Sequence, residues 1–125
     1  MANTTFKPVH ADGSYYTLVC GSFAPNSSAA IDSASNNGTG WTVARSGTGI
    51  FTVTFADPFP GLISFTALAQ VSVAAAVHAN AGVYDATAQT IVLRTYSGGS
   101  IADIAAKTNN RINFTAVFRN SSLTT

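Results

Sequence analysis

The chain has 125 residues, of which 46% are hydrophobic and only 9% are charged, and its formal net charge is +1. This length favours one domain that buries a core without metals or disulfides, and the hydrophobic content excludes a disordered tail. The six Lys and Arg residues are scattered, so the sequence offers no electrostatic footprint for nucleic acid. Cys20 is the one cysteine, which excludes an internal disulfide.

The sequence predicts neither a secretory signal nor a membrane span. Met1 to Ala11 contain no apolar run of the kind found in secretory signals. Residues 62–79 are long and uncharged, but polar residues such as Gln70 and His78 interrupt them, and apolar and polar positions alternate. We therefore expect no transmembrane helix and no membrane partner.

The chain begins with a polar segment that carries Pro8 and Gly13. We interpret residues 1–13 as an extended N-terminal arm, because the segment lacks the apolar periodicity of a strand or helix. This interpretation leaves residues 14–125 for a single folded domain.

The first strand is predicted over Tyr15 to Phe23, which is rich in β-forming residues. Residues 24–40 follow, with the Ser, Asn and Gly content of a loop. A loop of this length is unusual in a compact domain, which indicates either a functional loop or one that buries Ile31 as an anchor.

Trp41 to Phe55 has the alternation of a β-hairpin. Residues 46–49 supply two glycines for the turn, and the return strand places Phe51, Val53 and Phe55 on one face. Residues 57–61 contain two prolines, which end the strand because proline cannot continue a ladder.

Residues 62–77 carry the strongest two-residue periodicity in the chain. The odd positions from 63 to 77 are all apolar, whereas several even positions are polar. A strand explains this pattern better than a helix, around which the polar residues would be scattered. The segment is long for one strand, so a bend near Gln70 is plausible, and the sequence leaves one strand or two as alternatives.

A second hairpin is predicted from Val83–Asp85 and Ile91–Tyr96, with its turn at residues 86–89. The last strand is predicted over Arg111–Arg119, where Ile112, Phe114, Ala116 and Phe118 share one face.

Residues 100–107 form the one helix candidate. Ser100 is a suitable N-cap, with Asp103 three residues later and Lys107 four residues beyond that. Strands that recur with turns between them otherwise predict an all-β fold, namely a jelly-roll-like β-sandwich with the N-terminal arm and at most this one short helix.

The titratable residues do not form a recognisable catalytic or metal-binding motif. His10 and His78 are remote from each other, no nucleophile elbow is present, and the five aspartates lie in predicted loops, turns or the helix start. No clustered metal ligands occur either. We therefore expect a non-enzymatic protein with no catalytic, cofactor-binding or metal-binding residue, and with no cofactor.

Aromatic residues are the candidates for binding. Tyr15, Tyr16 and Trp41 are suited to a sugar- or protein-binding platform, because aromatic anchors are enriched at interfaces. Ordinary core packing is the alternative for Trp41, and one of the two adjacent tyrosines is expected to be exposed because neighbouring strand residues face opposite ways. Cys20 is expected to pack inside the domain and to be inert.

Three segments together resemble small virion proteins of tailed bacteriophages. They are GTGIFTVTFADPFPGLIS (Gly47 to Ser64), AGVYDATAQTIVLRT (Ala81 to Thr95) and RINFTAVFRNS (Arg111 to Ser121). The likeness covers about the last two thirds of the chain, and its motifs are turns and strands.

The resemblance implies a jelly-roll-like capsid decoration (cement) protein, which binds the major capsid protein on the outer shell after synthesis in the host cytoplasm. A homotrimer would match a threefold position of a capsid. The expected capsid or subunit interface consists of the following residues: Phe6, Lys7, His10, Tyr15 and Trp41.

Two other functions remain open at this point. A tail-fibre or receptor-binding head domain would place a glycan or protein site in loops, with Tyr84, Tyr96 or Trp41 as candidates. A cell-wall hydrolase would depend on His10, His78 or the aspartates, and alanine replacement of these residues would test it.

Overall fold

The computed structural model describes residues 16–25, 31, 36–71, 77–104 and 110–119. These residues form eight strands and no helix, and hence no helix that is long and apolar enough to cross a membrane. The strands are β1 (Tyr16–Phe23), β2 (Trp41–Gly47), β3 (Ile50–Phe55), β4 (Gly61–Gln70), β5 (Val77–Ala81), β6 (Thr90–Ser97), β7 (Ser100–Ile101) and β8 (Arg111–Arg119).

The strands form two antiparallel sheets whose inner faces share one core, which confirms the predicted β-sandwich. A three-stranded sheet has the order β1-β8-β4, and a five-stranded sheet has the order β2-β3-β6-β5, with β7 also paired to β6. The chain changes sheets after β1, β3, β4 and β7. The three-stranded sheet is therefore assembled from strands that are distant in sequence, whereas the five-stranded sheet contains the consecutive pairs β2-β3 and β5-β6.

The core lies between the inner faces of the two sheets. From the three-stranded sheet, β8 contributes alternate residues that are nearly or fully buried, as its periodicity predicts: Ile112, Phe114, Ala116 and Phe118. Phe118 stacks on Phe59 at 4.3 Å between ring centroids and meets Phe55 edge-on at 4.7 Å. Burial of these aromatic side chains supplies a large part of the hydrophobic stabilisation of the sandwich.

The hairpin predicted over Trp41 to Phe55 is confirmed as β2 and β3. Its turn includes Gly49, whose φ of +65° lies in the left-handed region that favours glycine. Ile31 of the preceding long loop is partly buried against the core, as the anchor interpretation predicts. Asn37 of the same loop exchanges two backbone hydrogen bonds with Ser22 at the edge of β1.

The long alternating segment 62–77 is not one strand, because β4 ends at Gln70 in one sheet and β5 begins at Val77 in the other. A β-bulge between Leu62 and Ser64 also breaks the predicted alternation. Ile63 is the extra residue of the bulge and is 59% exposed, although its odd position predicted the same face as Phe65. A bulge shifts every earlier residue to the opposite face, which a strict two-residue period does not anticipate.

The strand predicted over Val83–Asp85 is wrong, although the turn at residues 86–89 is present. The strand that precedes β6 and pairs with it is β5, and Asp85 makes only an isolated bridge to Thr90. The Asp85 carboxylate accepts hydrogen bonds from the backbone N–H groups of Thr87 and Ala88, at 2.9 and 3.1 Å. This local capping of the turn competes with regular strand pairing.

The helix predicted over residues 100–107 is also wrong for the part that the structure describes. Ser100 and Ile101 form β7, which folds back on β6 through Gly98 and Gly99, both with positive φ. Asp103 does not stabilise a helix but forms an ion pair with Arg45, at 2.7 Å between Oδ2 and Nη2. Lys107 lies outside the described residues.

Candidate interaction surface

Of the five residues expected at an interface, only Trp41 falls within the described part of the chain. Phe6, Lys7, His10 and Tyr15, and with them the predicted N-terminal arm, lie outside it.

Trp41 is 8% exposed and belongs to the core, where its ring meets Phe114 edge-on at 5.0 Å. Trp41 therefore packs in the core, as the alternative interpretation predicts, and little of its surface remains for a partner.

The other aromatic candidates differ in their exposure. Tyr16 is 41% exposed on the outer face of the three-stranded sheet. Tyr84 packs against the core, and its hydroxyl donates a hydrogen bond to the carbonyl oxygen of Phe59 at 3.0 Å. Burial, and to a lesser extent the Asp85 carboxylate, raises the pKa of Tyr84. Tyr96 is partly buried and stacks on His78 at 5.1 Å.

Exposed apolar side chains are concentrated on one face of the sandwich. Six large hydrophobic residues are exposed within the described part of the chain. Four of them lie on the outer face of the three-stranded sheet, namely Tyr16, Leu18, Ile63 and Leu68, with exposed fractions of 41, 43, 59 and 64%. Single exposed hydrophobic residues are ordinary, but a concentration on one face is typical of an interaction site.

One half of this outer face is polar and internally hydrogen-bonded. Ser22 donates to the side-chain oxygen of Asn113 at 2.6 Å and accepts from Nε of Arg111 at 2.6 Å. Asn113 in turn donates to the side-chain oxygen of Gln70 at 3.0 Å. The network links all three strands, so these side chains are held in fixed positions before any partner binds.

The other half of the face is mainly apolar and has one cation, Arg119, at the end of β8. We call it the Arg119 patch, and it consists of Tyr16, Leu18, Ile63, Val117 and Arg119. In the sheet register, Arg119 lies between Tyr16 and Gly61, and Val117 lies opposite Leu18. Ser64, which is exposed and pairs with Val117, is a polar residue beside the patch.

Arg119 packs closely on the sheet beneath it. A Cβ placed on Gly61 would lie 3.5 Å from Nη2 of Arg119, so the guanidinium covers the one position of β4 that has no side chain. Its Nε is buried and has no hydrogen-bond partner. A buried N–H group without an acceptor is unfavourable, so the packing of the sheet must offset the cost of holding Nε there.

Cys20 lies between the two halves of the face and is exposed, so the expectation that it packs inside was wrong. Its Sγ is 3.9 Å from Oγ1 of Thr115. Together with Ser22 and Asn113, Cys20 borders a shallow hollow of about 390 Å³. Asn37 and Gly38 also line the hollow, so it lies at the edge of β1.

The titratable groups of the described residues do not converge on a reactive centre. No group of three or more His, Cys, Asp and Glu residues lies together in this part of the chain. Asp103 accepts hydrogen bonds from Arg45 and from the backbone N–H of Gly49, and the Arg45 hydrogen bond lowers the pKa of Asp103. The outer face of the three-stranded sheet thus presents exposed apolar side chains, a hydrogen-bonded polar network and two arginines, Arg111 and Arg119.

The chain matches no family model, no curated protein sequence and no solved structure.

Proposed function

We propose that this chain is a non-enzymatic capsid decoration protein of a tailed bacteriophage. The observation that carries the proposal is the concentration of four exposed large hydrophobic residues on the outer face of the three-stranded sheet. Such a face suits a protein partner, because burial of apolar area is the main driving force of association. The capsid as partner comes from the resemblance of the turn and strand motifs.

The size of the face favours a partner with many equivalent sites. Three strands about 4.8 Å apart and roughly 28 Å long present an outer face of about 400 Å², which is about half of what each partner contributes to a standard interface. One copy would therefore bind weakly through this face alone. Linked copies bind more strongly than single ones, and a capsid offers a repeating surface on which a homotrimer attaches at several points.

The low charge of the chain is compatible with close packing on a shell. Only 9% of the residues are charged, and the net charge is +1. Copies with so little net charge repel each other weakly. The mechanism is mechanical, because each copy adds contact area across neighbouring capsid subunits and so raises the free energy needed to open the shell.

Decoration is preferred over receptor binding because of where the three aromatic candidates for a receptor site lie. The receptor-binding alternative placed its site on Tyr84, Tyr96 or Trp41. Tyr84 and Trp41 pack in or against the core, and Tyr96 is partly buried against His78. The exposed apolar area lies on a sheet face, which suits a broad protein contact better than a loop-borne glycan site.

Copy number in purified virions of the source, measured by quantitative mass spectrometry against the major capsid protein, tests the proposal. A ratio near one to the capsid protein, or a simple fraction of it, is the expected result. A few copies per particle would instead indicate the tail and favour receptor binding. Absence from the particle would overturn the virion function altogether.

A further inference from the structure

We propose that the Arg119 patch is the docking site for an apolar protein surface that carries a carboxylate, and that this carboxylate binds the guanidinium of Arg119. The inference rests on the proposed function, in which the partner is the capsid shell. It adds which part of the chain makes the contact and which chemistry the partner must present.

The surroundings of Arg119 strengthen its attraction for an anion. Tyr16, Leu18, Ile63 and Val117 exclude water from the patch once a partner covers it. A charge-assisted hydrogen bond in such an environment is stronger than one in water. Arginine and tyrosine are also among the residue types that dominate binding energy at interfaces.

The geometry of Arg119 leaves hydrogen-bonding capacity for a partner. Its Nε is buried and has no acceptor, and the guanidinium lies over Gly61. Arg119 as a whole is only partly buried, so the outer nitrogens of its guanidinium are the donors that a partner can reach. Guanidinium groups bind carboxylates with two parallel hydrogen bonds. A neutral apolar partner would instead bury the charge without compensation.

Charge complementarity identifies the partner as acidic. No described residue on the outer face of the three-stranded sheet is acidic, and the charged residues there are Arg111 and Arg119 at opposite ends of β8. Two copies packed through the same face would bring arginines together, which is unfavourable. Nucleic acid is disfavoured as well, because a phosphate backbone requires several adjacent cations.

The polar half of the face is expected to form the rim of the contact. Ser22, Asn113 and Gln70 already satisfy one another, so a partner gains little by displacing these hydrogen bonds. This asymmetry predicts that substitutions in the Arg119 patch affect binding more than substitutions in the polar half.

The test measures binding of the full chain to purified source capsids that lack the decoration protein. Arg119→Glu is expected to weaken binding at least about 100-fold, which corresponds to about 2.8 kcal/mol. Arg94→Glu is the matched control, because Arg94 is exposed on the outer face of the five-stranded sheet. Leu18→Ser is expected to weaken binding roughly tenfold, whereas Val83→Ser, at a loop residue that is 92% exposed, should leave it unchanged.

Salt dependence separates a charge contact from a structural effect. Rising ionic strength should weaken binding of the wild type more than that of Arg119→Gln, because salt screens the attraction between the two charges before the partner covers the patch. Thermal unfolding of each variant checks that the domain is intact. Leu18→Ser keeps the inference testable if substitution of Arg119 prevents folding.

The outcomes distinguish this inference from the proposed function. Loss of binding in the patch variants but not in the controls supports both. Capsid binding that survives Arg119→Glu and Leu18→Ser, or that is lost in Arg94→Glu, would overturn the inference and leave decoration standing. A wild type that does not bind capsids would overturn both. Binding of duplex DNA that Arg119→Glu abolishes would assign the patch to nucleic acid instead.

Discussion

Replacement of Gly21 by alanine should destabilise the fold strongly, because β1 has no room for a side chain at this position. A Cβ on Gly21 would lie 2.5 Å from Cζ of Phe114 and would overlap the six-membered ring of Trp41. Both rings are buried, and they contact each other edge-on at 5.0 Å. Neither ring can move aside without displacing other core residues, since interiors are close-packed.

The expected cost follows from comparing Gly21 with two other glycines. Overpacking of a core costs roughly 1–3 kcal/mol, and Gly21→Ala should lie at the upper end because two rings are overlapped. Gly40 has a φ of +87° and open space around it, so Gly40→Ala should cost only the left-handed backbone penalty of about 1–2 kcal/mol. Gly47 has neither problem, because its Cβ would make an ordinary 3.8 Å contact with Ile50.

Urea denaturation of the three variants, followed by the intrinsic fluorescence of Trp41, measures these differences in the free energy of unfolding. The expected order of destabilisation is Gly21→Ala first, Gly40→Ala second and Gly47→Ala last, the last within about 0.5 kcal/mol of the wild type. For a domain of this size, the Gly21 variant should melt roughly 8–12 °C lower. A Gly21 variant as stable as the Gly47 variant would show that Trp41 does not lie against the backbone of β1.

Three further outcomes are expected. Asp103→Asn should destabilise the domain at neutral pH. The difference in stability from the wild type should shrink as pH falls through the lowered pKa of Asp103, because the wild type then loses the same interaction with Arg45. Acid titrations of both proteins measure this difference. Native Cys20 should react with a maleimide without unfolding, since it is exposed, and slow, unfolding-limited labelling would contradict that placement. Ser22→Ala should cost about 1–2 kcal/mol of stability through lost hydrogen bonds to Asn113 and Arg111, while capsid binding changes less than twofold.

Local periodicity was enough to predict the elements whose two faces differ clearly. The hairpin from Trp41 to Phe55 and the strand Arg111–Arg119 follow the sequence pattern because large apolar residues on one face alternate with smaller or polar residues on the other. Glycine and proline marked the turns around them. These segments specify their structure locally, and the sandwich class followed from their recurrence.

The remaining errors arose where tertiary contacts override local preference. Ser100 and Asp103 have the spacing of a helix start, but Gly98 and Gly99 allow the chain to reverse, and Asp103 pairs with Arg45 of β2. The bulge that exposes Ile63 depends on its pairing with β8. Neither the partner of Asp103 nor the register of β4 can be read from neighbours in sequence.

The Arg119 patch was missed because its members come from three strands that are far apart in the chain. Leu18 and Val117 each lie on the less apolar face of a strand whose other face forms the core. The available signal was that β1 and β8 carry apolar residues on both faces, which is more than one core requires. The pairing of β1 with β8 brings these extra apolar residues together.

The patch also provides a basis for specificity in a chain with few charges. With a net charge of +1, long-range steering contributes little to recognition. Discrimination between partners must then arise from the contact itself, where Arg119 favours one kind of partner and disfavours another. We expect a partner carboxylate to pair with its partly buried guanidinium, whereas an apolar partner without one would desolvate that charge with no compensation. One cation in an apolar patch therefore rejects unsuitable hydrophobic surfaces, which keeps a weakly charged protein with exposed apolar side chains from binding indiscriminately.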